Sequence, residues 1–163
     1  MPGGTPNKRN GFKRNVTNST FDLVVDDVAI AAMTDTGGIV GALGITSVSP
    51  TSGIGYATGA GGAVTQITNA ATAVTLDKVC GQITTVALTT AAAAEEAFVV
   101  NNSNVDANDV IVVNTTYAGG GKPIVFVTNV GAGVFTVNIT NVSASALDAV
   151  LVVNFAVIKS VAA

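Results

Sequence analysis

The chain has 163 residues, the size of one ordinary domain, with 48% apolar residues, only 10% charged residues and a formal net charge of −3. Valine, isoleucine and threonine supply 27, 10 and 21 residues, a β-branched excess that favours strands over helices. The absence of His and Trp and the single Cys remove the commonest general base, the commonest transition-metal ligand and any internal disulfide, which argues against most enzyme classes.

Met1 to Thr20 hold four of the seven basic side chains, Lys8, Arg9, Lys13 and Arg14, and no acidic one. With its Gly, Pro and Asn content this stretch reads as a flexible basic arm, and Arg14 leads into Asn-Val-Thr-Asn-Ser-Thr rather than the apolar core of a secretory signal. Synthesis in the cytoplasm is therefore expected. Beyond the arm, three basic residues stand against ten acidic ones, so charge is segregated along the chain and an arm can attract a neighbouring body. Nucleic-acid binding would need a larger basic patch on the body and is not expected.

Phe21 to Met33 fits neither a strand nor a helix period, and its type is ambiguous. From Thr36 to Leu76 there is no charge at all, and the glycines between Gly37 and Gly62 break any helix. No apolar run approaches a membrane-spanning length, so no membrane partner is expected. An uncharged surface of that length favours burial between subunits, and oligomerisation is the expected consequence. The stretch reads as an irregular β or loop-rich docking segment.

After Val74 the apolar runs become regular and predict strands over 74–77, 79–88, 96–101, 109–115, 123–129, 133–142 and 148–159. Phe135, Val137 and Ile139 alternate with Thr136, Asn138 and Thr140, which gives one core face, and Gly131-Ala132-Gly133 joins this strand to the previous one in a hairpin. The run 148–159 is apolar on both faces apart from Asn154, as for a central strand or one covered by another subunit. Ala91 to Glu96 fits a helical turn or a loop. The expected fold is all-β, a jelly-roll-like sandwich or barrel with a flexible N-terminal arm, divided as arm 1–20, docking segment 21–62 and β domain 63–163.

Chemistry-bearing motifs are sparse. The run GIGYATGAGG, Gly53 to Gly62, lacks a phosphate-loop pattern, and Gly121-Lys122 is followed by Pro123, so nucleotide binding is not expected. Asn101 to Asp109 offers oxygen ligands at Asp106 and Asp109 without the glycine and terminal glutamate of a calcium loop, and reads as a turn. Glu95 and Glu96, like Asp26 and Asp27, are adjacent, and neighbours on a strand face opposite ways. Cys80 lacks a His partner and reads as a small buried apolar residue. Glycosylation at Asn15, Asn18, Asn114 or Asn138 is not expected without a signal segment. No enzyme, metal or cofactor is expected.

The run GYATGAGGAVTQITNAATAVTLDKVCGQIT, with DVIVVN and the ending NFAVIKSVAA, resembles a family of small virion proteins of tailed bacteriophages and prophages. The likeness covers Tyr56 to Ala163, and its relatives resemble both head-decoration proteins and tail-fibre modules. The resemblance implies a trimeric β-rich virion component without catalytic residues. The expected function is a capsid decoration, or cement, protein: a homotrimer on the capsid surface whose partners are the major capsid protein and itself, with Lys8, Arg9, Lys13 and Arg14 docking on capsid or neighbour. The alternative is a trimeric tail-fibre or tail-tip receptor-binding module, with Tyr56 and Tyr117 in outward binding loops.

Overall fold

The computed structural model describes the backbone of 11–15, 20–25, 28–34 and 39–41, and residues 55–56 and 58–162 in full. The chain divides into two units, Met1–Gly55 and Tyr56–Ala163. In the first, β1 (Gly11–Asn15), β2 (Thr20–Val25), β3 (Val28–Thr34) and β4 (Ile39–Gly41) pair antiparallel in the order β1-β2-β3-β4. The ambiguous run from Phe21 to Met33 is thus two strands with a register shift between Leu23 and Val24, which is why no single period fits it. β1 lies within the stretch expected as an arm.

The second unit is a sandwich of two four-stranded sheets. Its strands are β5 (Gly61–Thr65), β6 (Val74–Thr75), β7 (Cys80–Ala87), β8 (Glu95–Asn101), β9 (Val110–Tyr117), β10 (Pro123–Gly131), β11 (Val134–Asn141) and β12 (Val150–Ile158). One sheet has the order β5-β7-β12-β9, the other β10-β11-β8-β6. Six of these strands, β7 to β12, are paired antiparallel, and the chain changes sheet at β7–β8, β8–β9, β9–β10 and β11–β12, a rolled-up arrangement of jelly-roll type. The first two strands, β5 and β6, each add in parallel to one edge. No helix occurs among the described residues, and none is long and apolar enough to cross a membrane.

The core follows from strand alternation. Phe135, Val137 and Ile139 of β11 and Phe98 and Val100 of β8 face Ile83 of β7 and Leu151, Val153, Phe155 and Val157 of β12. The Phe135 and Phe155 rings meet across the two sheets, 5.5 Å apart and tilted by 57°, a favourable edge-biased arrangement. The hairpin expected at 131–133 is present, with Gly133 at φ 78, a left-handed conformation that glycine adopts without steric cost. β12 is laterally central between β7 and β9, as its apolar composition implied. A bulge in the β7–β12 pairing leaves the Leu151 N–H without a ladder carbonyl. The Thr85 hydroxyl accepts it at 2.9 Å and donates to the Val86 carbonyl at 2.7 Å.

Three local details sharpen the sequence reading. Ala91 to Ala94 form a tight turn, closed by the Ala94 N–H donating to the Ala91 carbonyl, with Ala93 at φ 56, and Glu95 already belongs to β8. β9 runs on to Tyr117, two residues past the expected end. β5 arises from the Gly-rich stretch because it lies against β7, where Gly62 and Gly81 permit close approach around Leu76.

Candidate assembly surface

Strand alternation gives the β5-β7-β12-β9 sheet an inner face in the core and an outer face. Across that outer face the register aligns Gly61, Cys80, Ala156 and Val112 in one row. Ala63, Gln82, Asn154 and Asn114 form the next, and Thr65, Thr84, Val152 and Thr116 a third. Ile158 pairs with Val110 at one end, and Val150 with Ala87 at the other. None of these residues is charged. Val110, Val112 and Ile158 remain 53%, 49% and 54% exposed, so the face is aliphatic at the Ile158 end. The middle row is amide: Gln82 Nε2 donates to Asn154 Oδ1 at 3.1 Å, while Asn114 Oδ1 accepts the N–H of Thr115 at 2.7 Å.

Every charged side chain among the described residues of this unit lies elsewhere. Asp77, Lys78, Asp106, Asp109, Lys122, Asp148 and Lys159 stand outside the strands, and Glu95 and Glu96 on β8 of the other sheet. The outer face of that other sheet also exposes Ile124 and Phe126, but Glu95 interrupts it, accepting a hydrogen bond from the Thr140 hydroxyl at 2.9 Å. An open groove of about 750 Å³ runs between the loop Thr68 to Ala71 and the start of β8. Its two carboxylates already take hydroxyl donors, Glu96 from Thr90 at 2.6 Å.

The residues expected to bind are dispersed. Lys8 and Arg9 lie outside the described residues. Lys13 and Arg14 are consecutive on β1 and pair in register with Asp22 and Phe21 respectively. Tyr56 is half-exposed, and its hydroxyl donates to the Val157 carbonyl near one end of β12. Tyr117 pairs with Leu151 at the other end, on a strand rather than in a loop. Its hydroxyl donates to the Gly120 carbonyl at 2.7 Å and accepts the Asp148 N–H at 2.8 Å, and Asp148 Oδ1 takes the Gly120 N–H at 2.6 Å. That network holds the Gly119-Gly120-Gly121 turn, so the phenol serves the turn. The two tyrosines form no common site.

The Asn101 to Asp109 loop is closed by a cation from within the chain. Lys159 Nζ donates to Asp106 at 2.5 Å and to Asp109 at 2.6 Å, and Ser160 N–H donates to Asp109 Oδ1 at 3.1 Å. The Asp109 side chain is fully buried whereas that of Asp106 is 71% exposed, so the Asp109 contact is the one that matters. The Lys159 hydrogen bond, then that from the Asp106 N–H, hold the Asp109 carboxyl below its ordinary 3.8. The same two carboxylates, Asp106 first, raise Lys159 above its ordinary 10.5. A depressed carboxyl stabilises above 3.8 and loses that contribution as pH falls from there through its folded value; a raised ammonium stabilises below 10.5 and loses it as pH climbs past that value. The clasp is therefore complete across the neutral range. The Ser160 amide is expected to stay protected from hydrogen exchange there and to lose protection below pH 3.8, whereas Lys159→Met removes it at neutral pH as well.

Sequence reading singled out Asn154 as the one polar position of its strand but missed Gln82 and Asn114 as its companions. The signal was a lone amide in each of three otherwise apolar or threonine-bearing strands; only the register makes them a row. Among the described residues no group of three or more His, Cys, Asp or Glu side chains converges as a metal site would require. No protein-family model matches the chain, and neither the curated proteins nor the solved structures contain a match.

Proposed function

We propose that this protein is a phage capsid decoration protein that binds the head shell as a homotrimer and stabilises the contacts between capsomers. The observation that carries the reading is the uncharged outer face of the β5-β7-β12-β9 sheet. A sandwich with one charge-free face is suited to assembly. The resemblance of Tyr56 to Ala163 to small virion proteins supplies the setting.

The action would be mechanical. A filled shell strains the junctions between capsomers, and a trimer gripping several subunits at once turns each further contact into an intramolecular event with a high effective concentration. Lys8 and Arg9 would contribute an electrostatic hold on an acidic capsid or neighbour surface, screened beyond about 10 Å at 0.1 M salt. Reversing both charges, Lys8→Glu with Arg9→Glu, is expected to release the protein from purified heads at lower salt than wild type. Equal retention in a salt series would remove these residues from the docking role.

The decisive measurement is copy number against the major capsid protein in purified virions, by quantitative mass spectrometry. Hundreds of copies per particle are expected. A handful to a few dozen would overturn the decoration role and place the protein in the tail.

A further inference from the structure

Assembly leaves open which surface meets which. The β5-β7-β12-β9 outer face has three properties that together select its occupant. First, between Tyr56 and Ala163 six carboxylates stand against three lysines, so two copies of this unit carry a net mutual repulsion. This face is where identical acidic bodies can approach without opposing like charges.

Second, its amide row is half-satisfied. Gln82 and Asn154 use one hydrogen bond between them, leaving Gln82 Oε1, Asn154 Nδ2 and Asn114 Nδ2 without a partner among the described residues. An apolar partner would bury these groups unpaired, at roughly 1–3 kcal/mol each, whereas the same row on another copy offers both acceptors and donors. Third, the face has substantial area. β5, β7, β12 and β9, with 5, 8, 9 and 8 residues, at roughly 3.3 Å rise per residue and roughly 4.8 Å spacing span a plane of roughly 475 Å². That is more than half of the roughly 800 Å² per partner found in specific interfaces.

We infer that this face lines the three-fold axis of the trimer, each copy's face meeting those of its two neighbours, with the aliphatic end around Val112 and Ile158 supplying the adhesion and the Gln82, Asn154 and Asn114 row fixing the register. The inference rests on the homotrimer reading and names the surface that makes it. A polar row inside an apolar contact is a known device for specifying one register and one oligomer state, at some cost in stability.

The test is molar mass by light scattering on the full chain and on three lysine variants, with circular dichroism to confirm folding. Wild type is expected at three times the 16.1 kDa chain mass. Asn154→Lys, in the middle of the row, is expected to lower the mass threefold. Val112→Lys sits on the edge strand β9, where a half-exposed lysine is compatible with the folded monomer, and gives the same readout should Asn154→Lys fail to fold. Ile124→Lys, equally exposed on the opposite sheet, is expected to keep the wild-type mass. Wild-type mass in both Asn154→Lys and Val112→Lys would overturn the inference and leave the homotrimer standing. A wild type at one chain's mass would overturn both.

Discussion

Replacing Asn141 by leucine is expected to destabilise the second unit by about 3–5 kcal/mol and to lower its melting temperature by roughly 15–20 °C, measured by thermal circular dichroism. The residue is entirely buried at the end of β11. Its Nδ2 donates to the carbonyls of Thr90, Ala91 and Ser145 at 3.2, 3.0 and 2.8 Å. Its Oδ1 accepts from the Ser143 N–H at 3.1 Å and the Ser143 hydroxyl at 2.8 Å. One side chain thus ties the β7–β8 loop to the β11–β12 loop. Leucine has a similar volume, so the cost would come from the five amide hydrogen bonds lost together at a buried position and not from a cavity. Asn141→Asp separates these causes: it keeps the shape and reverses the donors, setting a carboxylate against three carbonyls, and is expected to cost at least as much. A loss below about 1 kcal/mol in both variants would mean that water replaces the amide and that the loops hold each other without it.

Sequence period and structure agree where one face of a strand meets the core. β11 is the clearest instance, because Phe135, Val137 and Ile139 had to point one way whatever their neighbours did. The strands from β6 to β12 fall within a few residues of their expected positions for the same reason. β5 was hidden because glycines carry no facial preference, and its pairing depends on β7 and Leu76, which are distant in sequence. Tyr117 was misplaced by its glycine-rich surroundings, which suggest a loop, although its partner Asp148 lies 31 residues away. The amide row is likewise a product of register, since Gln82, Asn114 and Asn154 share nothing until three strands are aligned.

Gly81 carries the second large effect. A Cβ on this residue would lie 2.7 Å from Leu76 Cδ2, 2.8 Å from the Gly62 carbonyl oxygen and 3.1 Å from Phe155 Cε1. Leu76 can rotate away at the cost of an off-rotamer side chain, but the Gly62 oxygen belongs to the backbone of β5. It can retreat only if the parallel pairing of β5 with β7 opens. Gly81→Ala is therefore expected to cost about 2–3 kcal/mol, the upper part of the range for overpacking, and Gly81→Val more. The gain in β propensity on leaving glycine, within about 1 kcal/mol, is too small to compensate. Hydrogen exchange tells where the strain is released. If β5 peels away, the amides of Gly61 to Thr65 lose protection while those of β11 and β12 keep it. The Gly61–Cys80 and Ala63–Gln82 pairings would be lost with them, narrowing the uncharged face from four strands to three. On the assembly reading the same substitution should weaken association as well as stability. A Gly81→Ala protein of wild-type stability would show that β5 can shift along β7 without opening.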